Sequence, residues 1–523
     1  MKSNGVSLSL LASLSVVAAA DLPSIVVKGN KFFYPNGTQF FMKGVAYQQE
    51  FGAAGTGTTS TGSNSYIDPL ANKANCERDV PLLKELGTNT IRTYAIDPTA
   101  NHDACMKLLQ DAGIYVVADL SEPKLSINRE EPKWTTDLLE RYQKVVDSMS
   151  KYSNVIGYFA GNEVTNSKNN TAASAFVKAA VRDTKRYIKD KHNSRWIGVG
   201  YASNDDEDIR TDITNYFNCD KTEDSADYWG YNIYSWCGDK SSMKISGYDK
   251  QVEFFSNYSI PVFFAEYGCN DPGGAEARVF EDTEALYSSE MTGVFSGGIV
   301  YMYFQEDNDY GLVQIKDGKA VKMKNFEALK KKMAKANPQG TTSSAKEAKL
   351  AECPSLAVNW QASKALPPQP NKALCDCMVR SRSCVPKSNL KEKSFGSVFD
   401  FICSKNTDLC VGISANATSG IYGAYSMCDD SAKLAFVMDA YYQKQNSGAS
   451  SCDFDGAANT QTATNEDSCA ALLKSAKEVN DNAAAGKPTQ SDSKKKDSGA
   501  MGMTVGGPAA WIAAAVAVVA MSA

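Results

Sequence analysis

Two glutamates close two apolar runs. The run that starts at Val155 ends on Asn162 and Glu163, and the run that starts at Pro261 ends on Glu266. A single carboxylate in such a place is most often a helix-start acid or an ion-pair partner. A pair of them can do more. Retaining cleavage of a glycosidic bond needs a proton donor and a nucleophile, two carboxyl groups about 5–5.5 Å apart. In that scheme Glu163 protonates the leaving oxygen, so it must hold its proton, a state that a neighbouring ionised Glu266 favours. Glu266 attacks the anomeric carbon and forms a glycosyl-enzyme. Glu163, now deprotonated, activates the acceptor hydroxyl. Water as acceptor makes a hydrolase and a sugar makes a transferase, and the two glutamates do not decide between them. This chemistry needs no cofactor and no metal. With His102 and His192 the only histidines, the sequence argues against a His-rich metal site or a Ser-His-Asp triad.

Such side chains need a scaffold that presents strand ends. Eight β-rich runs are predicted, at 40–47, 90–94, 114–119, 155–160, 196–201, 228–234, 262–266 and 298–304. Helical stretches are predicted between them at 76–86, 138–152, 171–189 and 280–291. Alternating strands and helices imply a parallel sheet, and eight units over some 300 residues fit an α/β fold of the (β/α)8 TIM-barrel kind. Glu163 then ends the fourth strand and Glu266 the seventh, on the face where barrel enzymes keep their active sites. A doubly wound sheet is the runner-up, but no G-x-G-x-x-G follows the first strand. The 523 residues are 43% hydrophobic with a net charge of −5, which suits globular domains and argues against a nucleic-acid binder.

The two ends suggest an address. Residues 1–20 carry Lys2, an apolar stretch and a run of alanines, the pattern of a secretory signal peptide. Near the other end, small residues at 498–500, a spacer and an apolar tail to Ala523 match a glycosylphosphatidylinositol attachment signal with Ser498 as acceptor. The expected place is outside the cell, on the outer leaflet of the plasma membrane and in the wall. Fourteen cysteines suit an oxidising compartment, and the sequons at Asn36, Asn169, Asn257 and Asn416 are candidates for glycosylation.

The residues also carry a resemblance. GNE at 161–163, AEYG at 265–268, NTIRTYAIDPTANHD at 89–103, DLSEPKLSINR at 119–129 and YNIYSWCG at 231–238 resemble fungal glycoside hydrolase family 72. These are glycosylphosphatidylinositol-anchored 1,3-β-glucanosyltransferases, and the likeness spans roughly residues 22–335. The resemblance implies a (β/α)8 barrel that splits β-1,3-glucan internally and moves the new reducing end onto the non-reducing end of another glucan. It makes Glu163 the acid/base and Glu266 the nucleophile. It further implies sugar contacts at Tyr94, at Ser121, Ser126, Asn128 and Arg129 in one loop, at Asn162, at Asp205 and Arg210, and at the aromatic platforms Tyr234 and Tyr301. An endo-β-1,3-glucanase and a non-catalytic wall-binding protein remain the alternatives. The segment Gln48–Tyr66, rich in Gly, Ser and Thr, is an irregularity that would reshape one wall of the cleft.

Cysteine density divides the chain. Five cysteines lie in 21–350 and nine in 353–469. The expected organisation is signal peptide 1–20, barrel 21–335, linker 336–370, cysteine-rich module 371–470, flexible stalk 471–498 and a removed anchor signal 499–523. The module resembles the family 43 carbohydrate-binding module, helical or mixed in structure. Its role, glucan binding or support of the barrel, stays open, as does the choice between sugar platform and core for Tyr422, Tyr425, Tyr441 and Tyr442. An odd cysteine count on each side suggests a bridge across the linker, Cys219–Cys353. Cys76–Cys105, Cys237–Cys269 and Cys403–Cys410 are the other expected pairs, and the remaining connectivities stay open. The C-x-C and C-x6-C spacings also suit a metal, but no histidine lies near them.

Overall fold

The structure, a computed structural model, describes residues 21–49, 66–341, 349–464 and 466–489. The signal peptide, Ser498 and most of the segment 48–66 lie outside the described residues. Eight parallel strands close into a barrel: β1 Met42–Ala46, β2 Thr90–Thr93, β3 Tyr115–Asp119, β4 Val155–Asn162, β5 Gly198–Asn204, β6 Trp229–Asn232, β7 Val262–Tyr267 and β8 Phe295–Val300. Nearly every residue of these strands is buried, as a sheet wrapped by helices on the outside and filled by side chains inside requires.

Helices α1 Lys73–Glu85, α2 Asp103–Asp111, α3 Thr136–Met149, α4 Ala173–Lys191, α5 Arg210–Tyr216, α6 Tyr248–Phe255, α7 Glu281–Leu286 and α8 Lys324–Lys335 surround it. Asn72 starts α1 by accepting from the Asn75 amide, an N-cap that the sequence offers locally. Helices α2, α5, α6 and α8 are absent from the sequence reading. All but α8 are short, with too few turns to show a clear period. An antiparallel meander of Val26–Lys28, Lys31–Phe33 and Gln39–Phe40 precedes β1 and packs Phe32 against Tyr228 and Phe263.

The eighth strand begins three residues before the predicted start. The Gly297-Gly298 pair reads as a break in sequence, but it lets the strand approach β1: a Cβ on Gly297 would lie 2.1 Å from the Met42 carbonyl oxygen. Tyr301 therefore sits just past the strand, on the catalytic face.

The last part of the segment expected as a linker, 360–370, is packed rather than free. Trp360 is fully buried beside Tyr216, and the Tyr216 hydroxyl donates to the Ser363 carbonyl. Cys353 bridges to Cys219, holding this segment on the barrel. The module follows, with α9 Lys372–Arg380, α10 Phe395–Cys403, α11 Asp430–Lys444 and α12 Asp467–Ala484. Helix α12 corrects the reading of 471–498 as a flexible stalk from its first residue. Its alanines are small enough to pack where large apolar residues are missing: Ala476 and Ala483 are buried, Asn480 accepts from the Ala424 amide, and Cys469 ties the first turn to Cys377. The other module bridges are Cys375–Cys428, Cys384–Cys452 and Cys403–Cys410, and the barrel holds Cys76–Cys105 and Cys237–Cys269.

The module is docked on the barrel. Tyr422 lies edge-on to Phe176, the Thr136 amide donates to the Met427 carbonyl, and Lys133 pairs with Asp430 at 3.0 Å. Tyr422 and Tyr425 are thus core and interface residues rather than an exposed platform. Among the described residues, no helix is long and apolar enough to cross a membrane.

Candidate active site

Everything at the site hangs on the strand ends. Arg92 on β2 is fully buried, and its guanidinium reaches four neighbours, one of them the Ala265 carbonyl at 3.3 Å from Nη1. Nε and Nη2 grip Asp119 of β3 at 3.0 and 2.9 Å, Nη2 donates to Asn162 Oδ1 at 3.0 Å, and Nη1 donates to Glu266 Oε1 at 3.2 Å. The cation also lies between two rings, 4.3 Å from the Tyr94 centroid and 4.4 Å from that of Phe159. A planar, always charged fork with several donors suits this place, and a lysine does not.

Glu266, on β7, is held by three donors. Besides Arg92, the Tyr94 hydroxyl reaches Oε1 at 2.9 Å and the Tyr234 hydroxyl reaches Oε2 at 2.8 Å. Burial pushes the Glu266 carboxyl above its ordinary value. Arg92 opposes that push, the Glu163 charge adds to it, and the two tyrosines again oppose it. Burial raises Asp119 as well, against Arg92. Both tyrosines lie well above the usual phenol value, mainly through burial, so they stay protonated and can donate.

Glu163 follows β4 directly, in left-handed backbone at φ 49°. That conformation is costly for a side chain with a Cβ, and such strain collects at functional sites. It is held from three sides: its amide donates to Ala202, its carbonyl accepts from Arg129 Nη2 at 2.8 Å, and Asn232 Nδ2 donates to Oε1 at 2.8 Å. Asn232 also donates to Asn162 Oδ1. With that oxygen taken by Arg92 and Asn232, Asn162 has its amide NH2 left for a ligand.

The other expected residues fall into two groups. Ser121, Ser126, Asn128 and Arg129 line an open groove of about 700 Å³ together with Tyr94 and Asn162. Asn128 spends its oxygen on the Glu130 and Glu131 amides, which shapes the loop. Asp205 and Arg210 are bound to each other and to the buried Tyr231 hydroxyl, so they form a braced pair at the end of β5. Tyr301 joins Tyr94, Tyr234 and Tyr310 in an aromatic wall, with centroids 6.3, 6.4 and 5.4 Å from Tyr301.

Sequence reasoning missed Arg92, Asp119, Asn232, Gln48 and Tyr310. Arg92 carries a usable signal, a charge inside a buried strand. Gln48 accepts from the Tyr94 and Ala95 amides and seats the Tyr94 backbone. Arg278 is a further omission: buried and pushed down to about 10 by that burial, it donates to the carbonyls of Gly268, Tyr301, Tyr310 and Gly311. It ties the aromatic wall to the strand of Glu266.

Comparison with known proteins agrees with this geometry. The family described as glucanosyltransferase matches residues 14–337, and the X8 domain matches residues 382–459. A 1,3-beta-glucanosyltransferase of Arthroderma benhamiae is 55% identical over 494 residues, covering 90% of this chain and 89% of that protein. The 1,3-beta-glucanosyltransferase gas1 of Schizosaccharomyces pombe is 41% identical, covering 91% and 86%. Among solved structures, a mutant of Saccharomyces cerevisiae Gas2p in complex with laminaritetraose and laminaripentaose superposes with a TM-score of 0.78 at 41% identity. It covers 88% of this chain and 99% of that one.

Proposed function

The chain belongs to the glucanosyltransferase family, and from that premise we propose that it is a retaining 1,3-β-glucanosyltransferase with Glu266 as nucleophile and Glu163 as acid/base. The observation that supports these roles is the unequal setting of the two carboxylates. Glu266 accepts three donors, one of them the Arg92 cation, which orients it and favours its ionised form. The Glu163 carboxyl instead accepts from the neutral Asn232 amide.

The reaction then runs in two displacements. Glu266 attacks C1 of an internal glucose while Glu163 protonates the departing 3-oxygen, so the reducing-end fragment leaves. The non-reducing portion stays on Glu266 as an ester. The 3-hydroxyl at the non-reducing end of a second glucan enters, Glu163 takes its proton, and the new β-1,3 bond releases Glu266. The aromatic wall of Tyr94, Tyr234, Tyr301 and Tyr310 supplies stacking faces, and the groove by Ser121–Arg129 supplies polar contacts. Asp205 and Arg210 contribute polar edges at the end of β5.

A product time course on an end-reduced β-1,3-gluco-oligosaccharide tests this reading. Products longer than the substrate are expected. Only shorter products would make the protein an endo-glucanase, and no products would leave a binding role.

The address follows the same reading. A secreted protein on the cell surface, held to the outer leaflet through a lipid at Ser498, fits the leader pattern and seven disulfides. Release from membranes by a phosphatidylinositol-specific phospholipase is the test. Asn36, Asn169, Asn257 and Asn416 are all exposed, as glycan acceptors must be.

A further inference from the structure

His102, one of the chain's two histidines, is fully buried at the start of α2 and takes no part in the proposed reaction. Its Nε2 lies 2.8 Å from Oδ2 of Asp68, whose side chain is only 4% exposed. A carboxylate accepts, so Nε2 carries the hydrogen, and Nδ1 faces the Ser148 hydroxyl at 3.5 Å. Asp68 uses both of its oxygens. Oδ2 also accepts from the Asp97 amide at 2.7 Å, and Oδ1 accepts from the Leu70 amide at 2.8 Å. Three donors on two oxygens suit a carboxylate. A side-chain amide would turn its own N–H onto one of those donors.

These bonds pin the segment 66–70 onto the loop between β2 and α2, and both pieces shape one side of the catalytic groove. The Tyr66 hydroxyl donates to the Ile96 carbonyl at 3.2 Å, and Arg141 donates to both oxygens. Gln48 bridges the same two pieces. Its Nε2 donates to the Ile67 carbonyl at 2.7 Å, and its Oε1 accepts from the Tyr94 and Ala95 amides. Tyr66, Gln48 and Tyr94 all line the groove of about 700 Å³, and the Tyr94 hydroxyl donates to Glu266. Hydrogen bonds and short lengths of backbone thus run without a break from Asp68 to Glu266.

We propose that Asp68, seated by His102, is a positioning residue for glucan transfer. This role rests on the transferase reading above. Through Ile67 and Gln48, Asp68 sets Tyr94 against Glu266, and through Tyr66 it fixes one side of the groove. Tethering alone does not call for the pair, because the Cys76–Cys105 bridge already ties α1 to α2. A buried charge gives up its hydration, so it adds little stability over an apolar pair of similar size. What it supplies is one fixed arrangement of its partners. A fixed groove side keeps the donor glucan aligned on Glu266 and the second glucan, rather than water, in place as acceptor.

The test uses the full chain and an end-reduced β-1,3-gluco-oligosaccharide, and reads KM, kcat and the ratio of elongated to shortened products. Asp68→Asn mismatches one donor, and His102→Leu removes another. His102→Gln restores an N–H where Nε2 stood. Asp68→Asn and His102→Leu are expected to raise KM about tenfold, with a smaller change in kcat, and to lower the product ratio about fivefold. His102→Gln is expected to stay within about twofold of the parent in both. A lowered melting temperature with parental KM and product ratio overturns the proposal, because it reports a purely structural pair. Equal losses in His102→Gln and His102→Leu overturn it too, because the Nε2 hydrogen bond is then not what matters. Should Asp68→Asn and His102→Leu fail to fold, Asp68→Glu keeps the charge and moves both oxygens by one methylene. It is expected to lower the product ratio, and a parental ratio overturns the proposal. A parent that makes no elongated products overturns the transferase reading instead, while KM still reports on the groove.

Discussion

Arg92 and Glu266 meet across the mouth of the barrel, with Nη1 of the guanidinium 3.2 Å from Oε1 of the carboxylate, although 174 residues separate them in sequence. The same guanidinium holds Asp119 in a bidentate grip and Asn162 by its amide oxygen. One cation thus orients the proposed nucleophile and the residue next to the proposed acid.

Replacing Arg92 by lysine tests that arrangement. An ammonium is a point charge and cannot keep Asp119, Asn162 and Glu266 in register together. The variant is expected to lose roughly 10- to 100-fold in kcat, a loss typical of misplaced groups. Arg92 opposes the upward push of burial on Glu266, so weakening it raises Glu266 further. The acid limb of the kcat/KM profile should then move to higher pH. An unmoved limb with parental kcat would remove Arg92 from this role.

The two carboxylates should fail in different ways. Glu266→Gln has no nucleophile and is expected to be silent on every substrate. Glu163→Gln is expected to lose about 10²–10⁴-fold, the usual contribution of general acid–base catalysis. With an activated aryl glucoside and azide, Glu163→Gln should recover and give the β-configured glycosyl azide. Recovery of Glu266→Gln with the same product would reverse the assignment.

Arg278 acts by position. Lysine cannot bridge the carbonyls of Gly268, Tyr301, Tyr310 and Gly311, so Arg278→Lys should loosen the aromatic wall. KM for oligosaccharides is expected to rise several-fold with a smaller change in kcat. Equal losses in kcat and kcat/KM, with normal KM, would place its effect on the chemical step.

Asp282 makes a prediction about stability. It is buried at the start of α7, and burial pushes its carboxyl up to about 7. The unfolded carboxyl ionises near 4. Between about pH 4 and pH 7 the unfolded chain has lost this proton while the folded chain keeps it. Stability therefore falls as pH rises through that window, by on the order of 1 kcal/mol per unit. Asp282→Asn should flatten that fall and be more stable than the parent at pH 7, as read by denaturant midpoints. A parallel pair of curves would show that Asp282 titrates normally.

The bridge between Cys219 and Cys353 closes a separation of 134 residues. Changing both to serine should cost about 2–5 kcal/mol, mostly through the freer unfolded chain. The four module bridges stay intact in that variant, so the mass-mapped disulfides of 375–469 should not change. Unaltered thermal stability would show that Trp360 and the interface alone hold the domains.

Much of the catalytic half was legible because its signals are local. Most barrel strands are apolar runs, the period of their neighbours changes to helical, and both glutamates stand at the ends of such runs. The elements missed were those with weak local signals. Helix α12 packs through alanines, which are too small to mark a buried face by hydropathy, and Trp360 is a lone anchor in a polar segment. Gly297 reads as a breaker in sequence but serves close approach of two strands.

By itself, then, the sequence determined the barrel, its order of strands and which two carboxylates end them, because these depend on residues close together along the chain. It also set the cysteine imbalance that demands a bridge between domains. Only the tertiary structure decided that Arg92, Asp119, Asn162 and Glu266 form one network, and that Asn232 turns to Glu163. It also decided that Tyr422 is buried while Phe401 is exposed. Those outcomes depend on which strand ends the closed barrel brings side by side and on which faces the docked module covers. Neither is encoded in any one stretch of the chain.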